Sequence, residues 1–149
     1  MSQPPTVLAE DVIHKFLQMN RYLRQYARQM TDQGIRPWEL AVLRFLKESG
    51  PATVGQVQAY TYRSAGTTSM VITQLEQAGY LTRTRSEQDN RVVIVELTPA
   101  GRDLAEQTPL GGIALLRHRL NDLAEERLRL LDEALDEIMR LMEVIDIDE

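Results

Sequence analysis

The feature that most constrains the fold is a run of four elements between Thr53 and Leu97: a short helix, a tight turn, a second helix and a β-hairpin. Thr53 and Gln56 have the spacing of a capping box, which begins the first of these helices. Ser64 is placed to cap the second helix, which apolar spacing extends over about residues 66–78. An alternating stretch and a β-branched stretch then predict the two strands of the hairpin.

Helices are predicted on both sides of this run. Residues 7–30 carry apolar side chains at alternating spacings of four and three, which is typical of one helical stripe. Pro37 opens a second helix, and Thr98-Pro99 caps and opens a fifth. Pro109, Gly111 and Gly112 should interrupt that fifth helix, although no role for the two glycines follows from the sequence. A last helical stretch is expected from residue 121 or 122 to about 143, with the apolar stripe reaching Ile145.

Composition narrows the class of protein. The 149 residues suit a single domain over residues 1–149, and 43% hydrophobic residues exclude a disordered chain. The absence of cysteine excludes thiol chemistry, and with only two histidines we expect no metal and no other cofactor. No catalytic motif is present, so we expect no enzyme. No run approaches the ~20 apolar residues of a membrane span, and no leader is recognisable, so a cytoplasmic protein without membrane contact is expected.

The net charge of −5 is unevenly distributed. Residues 104–149 hold 5 basic and 12 acidic side chains, a net of 5 − 12 = −7, whereas residues 1–103 hold 12 and 10, a net of 12 − 10 = +2. The acidity therefore belongs to the C-terminal helices. The rest of the chain is compatible with a nucleic-acid partner but does not require one.

The helix at 66–78 has a face suited to DNA. Its outer side is uncharged and rich in short hydrogen-bonding groups, where a merely solvated helix more often carries Glu and Lys. The major groove, roughly 12 Å wide, admits one α-helix. A hairpin directly after such a helix is the winged helix-turn-helix order, and it lets Arg83 and Arg85 meet phosphates while Arg91 enters the minor groove. We therefore predict a mainly α fold with a small β-hairpin wing (α+β), in which residues 36–104 form the winged lobe.

Three stretches also carry a family resemblance: Leu75–Leu81 (LEQAGYL), the wing motif Asp89-Asn90-Arg91, and Leu97–Leu104 (LTPAGRDL). In their order and spacing they resemble MarR-family transcription regulators. The resemblance implies a homodimer formed by the N- and C-terminal helices, here residues 7–30 and 113–145. It also implies double-stranded DNA as partner, and a repressor on a pseudo-palindromic operator whose half-sites lie about 34 Å apart.

The resemblance carries over to individual residues. In the wing it implies that Arg91 enters the minor groove and that Asp89 orients Arg91. Asn90, between them, is the third predicted DNA-contacting residue of this motif. The DNA-contacting residues predicted at the recognition helix are Arg63, Gly66, Thr67, Thr68, Ser69, Met70, Thr73 and Gln74. Thr68 also falls on the apolar face by helical phase. Met70 stands where the family often has a basic residue, so we expect a shallow dependence on salt, roughly 0.9 per phosphate contacted.

The resemblance further implies a small-molecule effector, aromatic or anionic, bound between the dimer helices and the DNA-binding lobe. Its expected lining is Tyr22, Tyr26, Trp38 and Arg117, although such aromatic residues are more often part of a core or its rim. The alternative function is a protein-interaction module on a winged-helix scaffold with weak or no DNA binding. The negative net charge of the chain and the uncharged outer face of the recognition helix motivate that alternative.

Overall fold

A computed structural model describes residues 5–144 of the chain. Within them, helices and strands follow one another in this order: α1 (Pro5–Asp32), α2 (Pro37–Ser49), β1 (Ala52–Thr53), α3 (Val54–Thr61), α4 (Ala65–Gln77), β2 (Leu81–Arg85), β3 (Val93–Leu97), α5 (Pro99–Gln107), α6 (Gly112–Leu120) and α7 (Glu125–Leu141). The predicted fold class, mainly helical with a small β wing, is confirmed.

The helix starts are fixed by the caps that the sequence predicts. The Thr53 hydroxyl accepts the Gln56 amide at 3.1 Å, and the Gln56 side chain accepts the Thr53 amide at 2.9 Å. Ser64 accepts the Thr67 amide at 3.2 Å at the start of α4. Thr98 accepts the Gly101 amide at 3.1 Å at the start of α5. Each hydroxyl satisfies an amide that the first helical turn leaves without a partner.

The sheet has one strand more than the sequence predicted. β1 pairs antiparallel with β3, and β3 pairs antiparallel with β2, so the strand order is β1-β3-β2. Ala52 lies opposite Val95, which is fully buried. The expectation of a two-stranded hairpin was therefore incomplete, because β1 consists of only two residues and forms through a partner more than forty residues away.

The core lies where α2, α3 and α4 meet the sheet. Leu40, Leu43 and Leu46 line the inner side of α2 and are at most 1% exposed. They pack in one cluster with Val57 of α3, with Val71, Ile72 and Leu75 of α4, and with Leu81 and Val95 of the sheet. Burying each such side chain contributes about 1.5–3 kcal/mol. This core fixes one face of α4 inward and leaves the other face free.

The C-terminal third is divided more finely than predicted. α5 ends at Gln107, and α6 is a separate helix before α7, which begins at Glu125 rather than near residue 121. A Cβ on Gly111 would lie 2.4 Å from Cε2 of Tyr26, and Gly112 has a φ of +56°. The two glycines therefore let the chain pass directly beneath the Tyr26 ring of α1. Ile145, the last predicted position of the stripe, lies outside the described residues.

Apolar side chains of α1, α6 and α7 face outward. α7 buries none of its residues, and Leu131, Leu135 and Met139 are 42–55% exposed along one side of it. Val12 and Met19 of α1 are about half exposed. Among residues 5–144 no helix is both long enough and apolar enough to cross a membrane.

Candidate nucleic-acid interface

The outer face of α4 is open to solvent at its N-terminal end. Gly66, Ser69 and Met70 are exposed. Thr67 is half-buried, and its hydroxyl is hydrogen-bonded to that of Ser64 at 2.9 Å. Gly66 has no atom within 4 Å of the position that a Cβ would take. The first two turns of α4 thus present small polar groups and one flexible apolar side chain, Met70, to the outside.

Thr68 does not belong to this face, and its inclusion among the DNA contacts was wrong. It is 2% exposed and lies among the core residues of α4. Its hydroxyl oxygen has no hydrogen-bond partner within residues 5–144. Helical phase had already pointed to burial, since Thr68 lies three residues before Val71 and four before Ile72.

Thr73 and Gln74 lie one turn further along α4 and are both half-buried. The side-chain oxygen Oε1 of Gln74 is enclosed, again without a partner among the described residues. The structure therefore brings Gly66, Thr67, Ser69 and Met70 together at the open end of α4. It places Thr73 and Gln74 at the edge of that surface.

Hydrogen bonds within the turn between β2 and β3 hold the tip of the wing in place. Ser86 donates its amide to the Val92 carbonyl at 2.9 Å, and the Asp89 carboxylate accepts the Arg91 amide at 3.0 Å. Arg85 donates to the Asn90 carbonyl at 3.0 Å. Asp89 thus holds the backbone of the turn that carries Arg91, leaving the exposed guanidinium of Arg91 to solvent. This is an Asx-type turn, in which a carboxylate organises the chain two residues on.

Arg83 has a different environment from the one expected. Its guanidinium donates to a Glu76 oxygen of α4 from Nη2 at 2.8 Å and from Nε at 3.2 Å. Its amide donates to the other carboxylate oxygen at 3.1 Å. The side-chain hydrogen bond lowers the pKa of Glu76 below its ordinary value, and the same bond raises the pKa of Arg83. The charge of Arg83 is thus matched within the protein, a feature that sequence spacing did not reveal.

A groove separates α4 from the wing, with a volume of about 750 Å³. We call it the wing groove. Its arginines are Arg83, Arg85 and Arg91, and Ser69 faces it from α4. Within the described part of the chain, residues 5–144, no acidic side chain lines it. Its complete lining is Thr53, Val54, Gly55, Ser69, Ile72, Arg83, Thr84, Arg85, Arg91, Val92 and Val93. The groove therefore joins the exposed face of α4 to a cationic β-ribbon.

A second hollow, which we call the aromatic cavity, lies between the helix-turn-helix and the helices α1 and α6. Its volume is about 430 Å³. Three of the four residues that were expected around an effector line this cavity: Tyr26, Trp38 and Arg117. Tyr22 does not line it. Tyr22 stacks on Tyr26 with ring centres 6.3 Å apart and accepts the Gly112 amide at 3.2 Å.

Among the lining residues of the aromatic cavity that the sequence did not predict are Arg36, Arg44 and Tyr60. Sequence reasoning also assigned Arg63 to DNA alone, whereas Arg63 lines this cavity too, with its Cζ 5.9 Å from the Trp38 ring centre. Arg36 lies 5.6 Å from that same ring. Among the residues that the structure describes, 5–144, four arginines and three aromatic rings thus surround the cavity, and no acidic side chain does. Since they come from four separate helices or their flanking loops, no local pattern could have grouped them.

Comparison with known proteins agrees with this geometry. The MarR family sequence profile matches residues 35–93. The HTH-type transcriptional repressor MdtR of Bacillus subtilis is 29% identical over 99 residues, which is 66% of this chain and 64% of that protein. AbsC, a MarR family transcriptional regulator from Streptomyces coelicolor, has a similar crystal structure: TM-score 0.67, 24% identity, and coverage of 96% of this chain and 98% of that one. The Streptococcus pneumoniae FabT structure, solved in complex with DNA, has a TM-score of 0.59 at 24% identity, covering 90% and 97% of the two chains.

The class that fold and site define is that of winged helix-turn-helix proteins. Within this class, the chain is similar to the MarR family of transcription regulators, whose profile matches its winged lobe over residues 35–93. The resemblance carried by Leu75–Leu81, Asp89-Asn90-Arg91 and Leu97–Leu104 is thereby confirmed.

Proposed function

We propose that the protein is a homodimeric repressor that binds a pseudo-palindromic DNA operator and is released from it by an aromatic, anionic small molecule. The observation that carries the DNA-binding part is the wing groove. There Ser69, from the exposed polar end of α4, lines one groove together with Arg85 and Arg91 of the wing, and among residues 5–144 no acidic side chain lines it.

Each part of this surface suits one element of a DNA duplex. The small side chains at 66, 67 and 69 allow α4 to approach base edges closely, while Met70 offers an apolar contact for a thymine methyl group. Arg91, at the exposed tip of a narrow β-ribbon, suits the minor groove. Arg85 is tied to the Asn90 carbonyl, which stiffens the ribbon that delivers Arg91. DNA readout would therefore combine a nearly neutral helix with a cationic wing.

The outward apolar faces of α1 and α7 support the dimer. Leu131, Leu135 and Met139 form a stripe of large side chains on α7 that nothing covers among residues 5–144. Contiguous exposed apolar patches on soluble proteins mark interaction surfaces. A second copy is the occupant we propose, because a two-fold axis would pair the two recognition helices with the two halves of an operator.

The dimer is tested by sedimentation equilibrium. We expect twice the 17.0 kDa mass of one chain at micromolar concentration. Leu131→Glu combined with Leu135→Glu places two carboxylates in the stripe and should give a monomer. Glu133→Arg, on the opposite side of α7, serves as the control and should remain a dimer. A wild-type monomer would contradict the proposal.

The DNA-binding function is tested by in vitro selection from random duplexes, followed by mobility-shift assays on the selected DNA. We expect two related half-sites about one turn apart. Arg91→Ala should weaken binding, whereas Arg102→Ala on α5, which removes the same charge away from the wing groove, should not. If the wild-type protein gives no specific shift at low salt, the alternative of a protein-interaction module is favoured.

Repression and release are tested by transcription in vitro from a promoter that contains the selected operator. The protein should reduce transcript, and an aromatic carboxylate such as benzoate should restore it. The aromatic cavity supports this ligand class because its volume of about 430 Å³ falls within the usual 300–1,000 Å³ of ligand pockets. Its rings match an aromatic anion, as do its arginines, none of which has a carboxylate within ion-pair distance among residues 5–144. Activation of transcription by the protein alone would contradict the repressor role.

A further inference from the structure

We propose that Arg117 positions the turn between α3 and α4, and that a carboxylate bound in the aromatic cavity releases this turn by engaging Arg117 itself. The inference rests on the DNA-binding function proposed above, because α4 is the helix whose orientation the turn sets. Arg117 belongs to α6, outside the helix-turn-helix, so this contact connects the proposed dimer helices to the DNA-reading element.

The contacts of Arg117 converge on the end of α3. Its Nη2 donates to the Tyr60 carbonyl at 3.2 Å, and its Cζ lies 3.9 Å from the centre of the Tyr60 ring. It also lies 5.9 Å from the ring of Tyr62. The Tyr60 carbonyl is among the last four of α3, which have no partner inside the helix, and that end of a helix favours a cation. One guanidinium therefore satisfies a free carbonyl and covers an aromatic ring.

The turn that Arg117 contacts is short and conformationally unusual. Only residues 62–64 separate α3 from α4. Tyr62 has a φ of +53°, in the left-handed region that a bulky side chain rarely adopts, and its side chain is 86% exposed. Because neighbouring structure must hold such a conformation in place, the Arg117 contacts are well placed to stabilise it.

The charge of Arg117 remains available to a ligand. Within residues 5–144 no carboxylate lies within ion-pair distance of it, in contrast to Arg83, which is paired with Glu76. Arg117 and Tyr60 both line the aromatic cavity, opposite Trp38 and Arg63. A charged carboxylate accepts a stronger hydrogen bond from a guanidinium than a neutral carbonyl does, and it accepts two in parallel.

Ligand and turn therefore compete for one side chain. When a carboxylate takes Arg117, the Tyr60 carbonyl loses its donor, and the left-handed turn loses its support. α4 is then less firmly oriented for the major groove. Linkage requires the effect to be reciprocal, so DNA should weaken ligand binding by the same factor.

The test uses the full chain, benzoate as the anionic probe and the DNA selected by the wild-type protein. Arg117→Ala should bind this DNA about tenfold more weakly at an unchanged salt slope, since Arg117 contacts no phosphate; a lost phosphate contact would reduce the slope by about 0.9. Benzoate should weaken DNA binding by the wild-type protein but not by Arg117→Ala. Arg119→Ala, which removes the same charge from α6 outside the cavity lining, should behave as wild type.

Hydrogen exchange in the absence of DNA tests the turn itself. Exchange in the segment 56–66 should be about fivefold faster in Arg117→Ala, and in wild type with benzoate, than in the free wild-type protein. If Arg117→Ala does not fold, Arg117→Lys takes its place, since it keeps the charge but loses the planar group that covers Tyr60. It should show the same changes in smaller degree.

The outcomes separate this inference from the proposed function. A wild-type protein that binds no DNA would refute the proposed function and with it the role of Arg117 in DNA reading, whereas exchange would still report whether Arg117 holds the turn. Wild-type DNA affinity and wild-type exchange in Arg117→Lys and Arg117→Ala would overturn the inference alone. A reduced salt slope would overturn it as well, by making Arg117 a phosphate contact. Saturable benzoate binding that leaves exchange in 56–66 unchanged would refute the competition.

Discussion

Glu76 of the recognition helix accepts three hydrogen bonds from Arg83 of the wing, two from the guanidinium and one from the backbone amide, at 2.8–3.2 Å. Both guanidinium nitrogens donate to one carboxylate oxygen while the backbone amide donates to the other, so the carboxylate is held in orientation as well as distance. This pair joins the last turn of α4 to the middle of β2, so the two elements proposed to enter adjacent DNA grooves are held at one angle. The pair is about one third exposed, so its main effect is geometric.

The first prediction concerns the salt dependence of DNA binding. Arg91→Ala should reduce the slope of log affinity against log salt by about 0.9, because a cation held in the minor groove neutralises about one phosphate charge and releases its counterion. Arg83→Ala should reduce the slope by less than half of that, because Glu76 already balances the charge of Arg83. Fluorescence anisotropy over a range of salt concentrations measures both slopes. Equal losses would indicate that Arg83 leaves Glu76 and contacts the DNA backbone.

The second prediction concerns pH. Because Arg83 lowers the pKa of Glu76 from its ordinary 4.5, the ionised carboxylate is favoured in the folded protein. The stability that it contributes is present above pH 4.5 and is lost as pH falls through the lowered pKa. Glu76→Gln should therefore be less stable than wild type near pH 7, and the difference should shrink below pH 4.5. Urea unfolding of both proteins between pH 3 and 7 measures it, and a difference that grows on acidification would contradict the pairing.

The third prediction separates the buried and exposed sides of α4. Thr68→Val replaces a buried hydroxyl that lacks a partner among the described residues with a methyl group of the same size. The free energy of unfolding should rise by about 1 kcal/mol, with DNA affinity unchanged. Ser69→Ala, on the exposed side, should leave stability nearly unchanged and weaken DNA binding. Thermal unfolding and anisotropy give the two quantities, and a loss of affinity in Thr68→Val would return Thr68 to the interface.

Local signals predicted the helix starts well because a cap involves residues only three apart. Thr53, Ser64 and Thr98 each accept the amide that their spacing indicates. β1 was missed because its two residues form a strand only through β3, far along the chain. Such a contact leaves no periodic pattern in the sequence.

Those parts of the candidate site whose residues lie close together in the sequence could be predicted, and the parts assembled from distant residues could not. The wing turn at Asp89 and Arg91 lies within one hairpin and forms as a unit. The pairing of Arg83 was not predicted because its partner, Glu76, lies seven residues away across a helix-to-strand junction, where spacing does not indicate contact. The aromatic cavity was predicted only in part, since packing between distant helices decides which side chains line it.

The last prediction concerns close approach of the backbone at two glycines. A Cβ on Gly101 would lie 1.9 Å from the backbone carbonyl oxygen of Tyr80. This oxygen can move aside only if the surrounding main chain moves with it. Gly101→Ala should therefore destabilise the fold by about 2–3 kcal/mol, because it separates the start of α5 from the end of α4. Gly66→Ala is the matched control, since nothing lies within 4 Å of its Cβ position and α4 should gain about 0.5–1 kcal/mol.

The two alanine variants also differ in their expected DNA affinity. Gly66→Ala adds a methyl group to the exposed end of α4, where the proposed interface needs the helix to approach base edges, so it should bind DNA more weakly although it is more stable. Gly101→Ala should bind normally at temperatures where it is folded. Urea unfolding and anisotropy on the same preparations test both statements. A Gly66→Ala protein that is stabilised and binds DNA as wild type would show that this end of α4 stands clear of the DNA.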